Sequence, residues 1–170
     1  SQLEAILKTE KRQQLAKLTS TDLQHSLAKQ IKWALDHNAV LVLHDDAAYP
    51  DALKQTHHAP GFLWAQGRIS LLNEPCLAMV GARKATPTAM ALAKTFAGQL
   101  GKSGLTIVSG LALGIDGASH QGALDVQADT IAVLGSGLAI IYPNQHHALA
   151  QRILDGAGLL VSPWPLMAKI

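Results

Sequence analysis

From Cys76 to Ser162 the chain alternates short apolar runs, CLAMVG, LTIVSG, TIAVLG and GLLVS, with the amphipathic stretches PTAMALAKTFAGQL, IDGASHQGALDV and QHHALAQRIL. A run that is apolar at every position has no face to offer water, so it must be covered on both sides. Strands of that kind, separated by helices, form parallel βαβ units. The order predicts an α/β, Rossmann-like, doubly wound and mainly parallel sheet. Leu92, Phe96 and Leu100 share one stripe of the first of these helices and are predicted to face inward. Cys76, followed by Leu-Ala-Met-Val, reads as a buried strand thiol.

Upstream the pattern is less regular. Residues 2–18 are polar and charged with a weak helical repeat. Ser20 or Thr21 can cap a better helix over 21–37, where Leu23, Leu27, Ile31 and Leu35 recur every four residues. A strand from Ala39 to Leu43, a turn at Tyr49-Pro50, a short helix near 51–55 and a strand from Gly61 to Gln66 follow. We expect a short N-terminal helical segment, 1–37, and a Rossmann-like domain, 38–170. At 170 residues, 48% hydrophobic and 15% charged, the chain should bury one core and is too short for two α/β domains. No stretch approaches the ~20 apolar residues of a bilayer span, and the N-terminus lacks a signal-peptide pattern, so a cytoplasmic protein is expected. One cysteine excludes an internal disulfide and a Cys-rich zinc site.

In sheets of this kind ligands bind beyond the carboxyl ends of the strands. The first such loop, Gly81 to Pro87, carries Arg83 and Lys84; Thr86 suits an N-cap and Pro87 the first helical position. Free amides at a helix start beside two cations make an anion site, and Arg83 can grip a phosphate through two parallel bonds. No acidic residue lies between Glu74 and Asp116. The second loop, Ser109 to Asp116, has glycines at 110 and 114; the third is Gly135-Ser136-Gly137, followed by Tyr142-Pro143-Asn144. Together these loops suit several phosphates or a nucleotide.

Other chemistries fit less well. A dinucleotide fingerprint starting at Gly135 meets Ile140 where its third glycine belongs, and there is no Walker loop. Ser109, Asp116 and His120 are the residue types of a hydrolase triad, yet Ser109 is not in a G-x-S-x-G elbow. Asp116 as a helix cap or loop-amide acceptor, with His120 at the pocket edge, is the favoured reading. His57-His58 and His146-His147 are adjacent pairs whose side chains point apart, so no metal is expected.

Taken together, VGARKAT, SGLALGIDGASH, TIAVLGSGLAIIYP and GLLVS resemble the bacterial DNA-processing protein A family, DprA or Smf. Upstream, Lys32-Trp33-Ala34-Leu35, Leu43-His44-Asp45-Asp46 to Tyr49-Pro50, and Ala59-Pro60-Gly61-Phe62-Leu63-Trp64 agree as well. The resemblance implies a Rossmann-fold protein that binds single-stranded DNA and helps load the RecA recombinase in natural transformation, with no catalytic residue and no cofactor. It makes Arg83 the principal phosphate contact. Gly81, Lys84, Thr86, Ser109, Gly110, Gly114, Ser136 and Gly137 then line the groove, with Asn144 at its edge and Tyr142 either a stacking face or, the favoured role, a structural tyrosine at a strand-end turn. Partners implied are single-stranded DNA, RecA and a second copy in a homodimer.

The chain departs from the family at Ala82, Ala89, Leu113, Ala139 and Asn144, where members usually carry serine, glycine, a basic residue, aspartate and a basic residue respectively. Members also continue past a Ser-Glu-aromatic-Pro stretch into further strands, whereas here Ser162-Pro163-Trp164-Pro165 runs to Ile170. An incomplete C-terminal end, with a sheet edge open to pairing, is the expectation. Two rival readings are a nucleotide- or nucleoside-phosphate-binding enzyme akin to the phosphoribohydrolases, whose P-G-G-x-G-T-x-x-E motif is missing here, and a truncated scaffold that retains no ligand.

Overall fold

The computed structural model describes residues 21–156 and 158–169. The helical pattern expected over 2–18 and a cap at Ser20 lie outside them. Helix α1 (Thr21–Asp36) leads into β1 (Ala39–Leu43), short α2 (Asp51–Lys54) and β2 (Phe62–Gly67). A 3-10 turn (Ile69–Asn73) precedes β3 (Cys76–Ala78), α3 (Pro87–Lys102), β4 (Thr106–Ser109), α4 (Ile115–Asp125) and β5 (Thr130–Val133). A second 3-10 turn (Asn144–His146), α5 (His147–Asp155) and β6 (Leu159–Ser162) complete the order.

The six strands form one sheet in the order β1-β2-β6-β5-β4-β3. β3, β4, β5 and β6 pair in parallel, and β2 joins β6 and β1 antiparallel. The α/β, Rossmann-like class is what this shows. Each parallel crossover steps to the adjacent strand, and right-handed crossovers of that kind place α3, α4 and α5 on one face. The β1-β2-β6-β5 half is covered on both faces. Trp64, Leu160 and Ala132 pack under Ala34, Leu149 and Ile153, while Leu63, Ala65, Val161 and Ile131 pack under Tyr49 and Leu71. Tyr49 is fully buried, and its hydroxyl donates to the Pro60 carbonyl at 2.6 Å. Alternation along each strand thus feeds two cores from one sheet.

At the β3 edge two expectations fail. Cys76 is exposed, because β3 has a neighbour only at β4 and both its faces are open. On α3 the buried residues are Ala93, Ala97 and Gly98, while Leu92 and Phe96 are 55% and 49% exposed. The reason is backbone proximity. A Cβ at Gly122 of α4 would overlap the Lys94 carbonyl oxygen, and one at Gly98 would sit 3.1 Å from Gly122 O. Only a face of Ala and Gly lets two helices approach so closely, and it turns Leu92 and Phe96 outward, while Leu100 is half-buried against Ala97, Ile107 and Ala123.

His120 sits beneath this helix pair, fully buried. The Thr130 hydroxyl donates to the Ile107 carbonyl, so at the 2.7 Å contact with Thr130 the proton belongs to His120 Nδ1; Nε2 has no partner among the described residues. Burial, reinforced by the charge of His146 and opposed by the Ser109 backbone, pushes the imidazole down to about 3.

Two outcomes follow for stability. Gly122→Ala should cost about 1–3 kcal/mol in urea unfolding, whereas Gly61→Ala, with nothing within 4 Å of the added carbon, should change it by less than about 0.5 kcal/mol. Below pH 6.5 the unfolded chain binds a proton at position 120 that the folded chain refuses. This contribution therefore makes the fold lose up to about 1.4 kcal/mol per pH unit as pH falls from 6.5 towards 3. Unfolding curves at several pH values should show a shallower acid limb in His120→Gln than in the parent.

Candidate functional site

The loops after β3, β4 and β5 converge where the sequence places them, at the carboxyl ends of the parallel strands. Thr86 caps α3 as expected, its hydroxyl oxygen accepting from Ala89 N at 3.2 Å with Pro87 at the first helical position. The Arg83 loop lies directly on the N-terminus of α4: Ile115 N donates to Ala82 O at 3.3 Å. Gly114 makes that contact feasible. Its φ is +80°, and a Cβ there would overlap the Ala82 carbonyl oxygen and lie 2.8 Å from that of Arg83.

The β4–α4 loop is held under tension. Leu111 is fully buried with φ +59°, a left-handed conformation that costs a bulky side chain. His146 Nδ1–H donates to the Leu111 carbonyl at 2.7 Å, and Asp116 Oδ2 accepts from Gly110 N at 3.1 Å. These two bonds brace the turn from opposite sides. Asp116 acts as the loop-amide acceptor that its position suggested.

A cleft of about 270 Å3 opens between the loops. Arg83 of the first loop, Gly110 and Asp116 of the second, and Gly135 and Tyr142 of the third all line it. Leu113 and Val133 add apolar surface, 39% and 40% exposed. Of the residues expected in the groove, Arg83, Gly110 and Tyr142 line it. Arg83 and the neighbouring Lys84 are exposed and pair with no acid among the described residues, whereas Lys94 is held by Asp125 at 2.6 Å. Asp125 also takes Arg152 at 3.1 Å, and the two cations hold its carboxyl below the usual carboxylate range.

The others stand elsewhere. Ser109 is buried and donates to Met79 O at 2.6 Å, tying β4 to the end of β3. Ser136 is buried with its hydroxyl on Ile140 O, and its carbonyl accepts from Ser162 Oγ at 2.7 Å. Gly137 is covered by the chain at 165–166, where a Cβ would overlap two carbonyl oxygens. Gly81, Lys84, Thr86 and Gly114 shape or flank the Arg83 loop, and Asn144 begins the second 3-10 turn; none lines the cleft. His120, expected at the pocket edge, is fully buried on the inner side of α4, against Thr130 of β5, instead. No side chain of Ser109, Asp116 or His120 bonds the side chain of another, so no triad assembles. No group of three or more metal-ligating side chains occurs among the described residues, and no described helix is long and apolar enough to cross a membrane. Leu113, expected in the groove as a departure from the family pattern, lines the cleft, and Asp116, Val133 and Gly135 join it without having been singled out as groove residues; the signal for Asp116 was its place in the first turn of the helix that the second loop opens.

The family model for DNA recombination-mediator protein A matches residues 40–170. Protein Smf of Escherichia coli K12 is 39% identical over 83% of this chain and 38% of its own length. The DNA processing protein DprA of Streptococcus pneumoniae R6 is 39% identical over 64% of this chain and 38% of its own length. The chain therefore spans well under half of these relatives. Among solved structures, DprA from Streptococcus pneumoniae superposes with a TM-score of 0.69 at 34% identity, covering 76% of this chain and 45% of that one. DNA processing protein A from Helicobacter pylori, a structure concerned with its single-stranded DNA binding mode, superposes at 0.62 and 34% identity, covering 68% of this chain and 52% of that one.

Replacing Gly114 by Ala should destabilise the fold by about 1–3 kcal/mol, because its backbone conformation and the overlap with Ala82 are both intolerable to a side chain. Hydrogen exchange should locate the loss: amides of residues 82–84 and 110–116 should exchange faster than those of β6.

Proposed function

The chain belongs to the DNA recombination-mediator protein A family, and from that premise we propose that it binds single-stranded DNA through the strand-end cleft, with Arg83 as the principal backbone contact and no chemical step. The observation that carries this reading is the exposed guanidinium of Arg83, which has no acidic partner among the described residues and lines the cleft in the loop just before the capped start of α3. A guanidinium without a carboxylate is ready for phosphate, and the helix dipole adds to its pull. Lys84 extends the positive edge along a strand, and Tyr142, 54% exposed at the mouth, offers a stacking face. The H. pylori relative's single-stranded DNA binding mode supports the same ligand class.

Within this proposal residues 38–170 act as the Rossmann-like domain and 1–37 as an attached helical segment. The family's mediator role extends the proposal to loading of RecA onto the bound strand during natural transformation, in the cytoplasm, by a chain that pairs with a second copy.

The test is fluorescence anisotropy of a labelled oligo-dT at low and moderate salt, with duplex as competitor. Preferential binding of the single strand that weakens with salt is expected. Arg83→Ala should weaken binding to every sequence and reduce the slope of log affinity against log salt by about 0.7, the value of one phosphate contact on a single strand. An unchanged affinity and slope would remove Arg83 from the site.

A further inference from the structure

β3 ends the sheet, and its outer edge is unguarded. Met79 N donates to Val108 O and Thr106 N to Pro75 O, so the odd-numbered residues spend their backbone groups on β4. The amides and carbonyls of Cys76 and Ala78 therefore point away from the sheet, and no described residue pairs with them. Proteins usually blunt such an edge with lysine, proline or a bulge. Here Pro75 has its backbone turned inward, and every residue from Cys76 to Val80 is uncharged and apolar.

The helix above offers a matching flank. α3 packs on Ile107 and Met79 through Ala97, while Cβ atoms added at Gly98 and Gly101 would meet Gly122 and Ala128 on the α4 side. At about 100° per residue, Leu92 and Phe96 project from the flank roughly opposite Gly101, beyond the β3 edge, and both are exposed. Leu77 shares the α3 side of β3 with Met79 and is exposed too. Charge changes sign along the edge: Glu74 precedes β3, Arg83 and Lys84 follow it, and none of the three is ion-paired among the described residues.

We infer that two copies of the chain join through this edge about a twofold axis, β3 antiparallel to β3 and α3 against α3. This rests on the pairing of copies proposed above and gives it a surface. With the axis at Leu77, the outward groups of Cys76 face those of Ala78 in the other copy, and the reverse, as hydrogen-bonded pairs; the two Leu77 side chains meet in the position between. With strands ~4.8 Å apart and α3 seated over β3 and β4, the same axis sets the two α3 helices about 10 Å apart. That is the outer end of the ~8–10 Å at which helices pack, a gap for large side chains, and Leu92 and Phe96 of each copy supply them. Antiparallel alignment also carries each Glu74 towards Arg83 and Lys84 of the other copy and opposes the two helix dipoles. Every contact occurs twice, as a closed pair requires, and the two six-stranded sheets become one.

Sedimentation velocity of the 170-residue chain over a series of concentrations is expected to show a monomer passing into a dimer. Phe96→Glu puts a charge on an exposed position, so circular dichroism melting should find it folded, while its dimer should dissociate at concentrations at least about tenfold higher. Met167→Glu, also exposed but away from this edge, should leave association unchanged. A crosslink reads the register. In a Cys76→Ser background, Leu77→Cys should oxidise to a covalent dimer, because directly opposed Cα atoms about 4.5 Å apart lie within disulfide range. Ala78→Cys, diagonal to its own copy, should lag behind it. A dimer that Phe96→Glu leaves intact, or one in which position 77 crosslinks no faster than 78, overturns this surface and leaves the pairing of copies standing. A chain that stays monomeric throughout, including one whose β3 edge is covered by residues 1–20, overturns the pairing and the surface together.

Discussion

The distance between the α3 and α4 backbones governs the geometry of everything above them. It is set by missing side chains: at Gly122 the Lys94 carbonyl oxygen stands where a Cβ would, and at Gly98 a Cβ would press on the Gly122 carbonyl oxygen at 3.1 Å. Because α4 is drawn this close, its N-terminus reaches the loop that precedes α3, and Gly114 lets the two interlock through the Ile115 amide and the Ala82 carbonyl. The cleft is the space left when the third loop, carrying Gly135 and Tyr142, closes against that locked pair. Small-residue packing thus does for the site what long side chains do for an ordinary core: it fixes relative position, here by close contact of backbones.

Charge is sorted on the same scaffold. Asp125 gathers Lys94 and Arg152 across three helices, and Asp129 holds Arg68 at the far side of the sheet. Arg83 and Lys84 are left on their loop with no acid beside them, in a stretch of chain that carries none. The one acid in the cleft, Asp116, is committed through one oxygen to the loop that positions it. The cleft thus holds one cation and one acid beside apolar surface from Leu113 and Val133.

How far the sequence led can be judged from particular residues. The strand and helix order from β3 to β6 was legible because apolar runs of four to six residues and helical repeats differ in period. Thr86, Pro87 and the two glycines of the second loop were legible for a local reason, since capping and left-handed turns are chosen within a few residues. Leu92 and Phe96 misled, because apolar spacing alone favoured a large buried stripe, and the choice of Ala93, Ala97 and Gly98 depended on a helix some twenty residues further on. Ser109 and Ser136 misled in a similar way: their hydroxyls are taken by carbonyls of Met79 and Ile140, and Met79 lies thirty residues away, just past the end of β3.

By itself, then, the sequence determined the α/β class, the succession of elements and the three loops that meet at the strand-end cleft, because periodicity, capping and glycine placement act over short spans. Only the tertiary structure decided that β1 and β2 extend the sheet beyond β6, that Cys76 stands on an open edge, and that His120 is sealed away while Asp116 enters the cleft. Those outcomes depend on which distant backbones meet, and the closeness of that meeting is settled where carbonyl oxygens from separate elements compete for the same few ångströms.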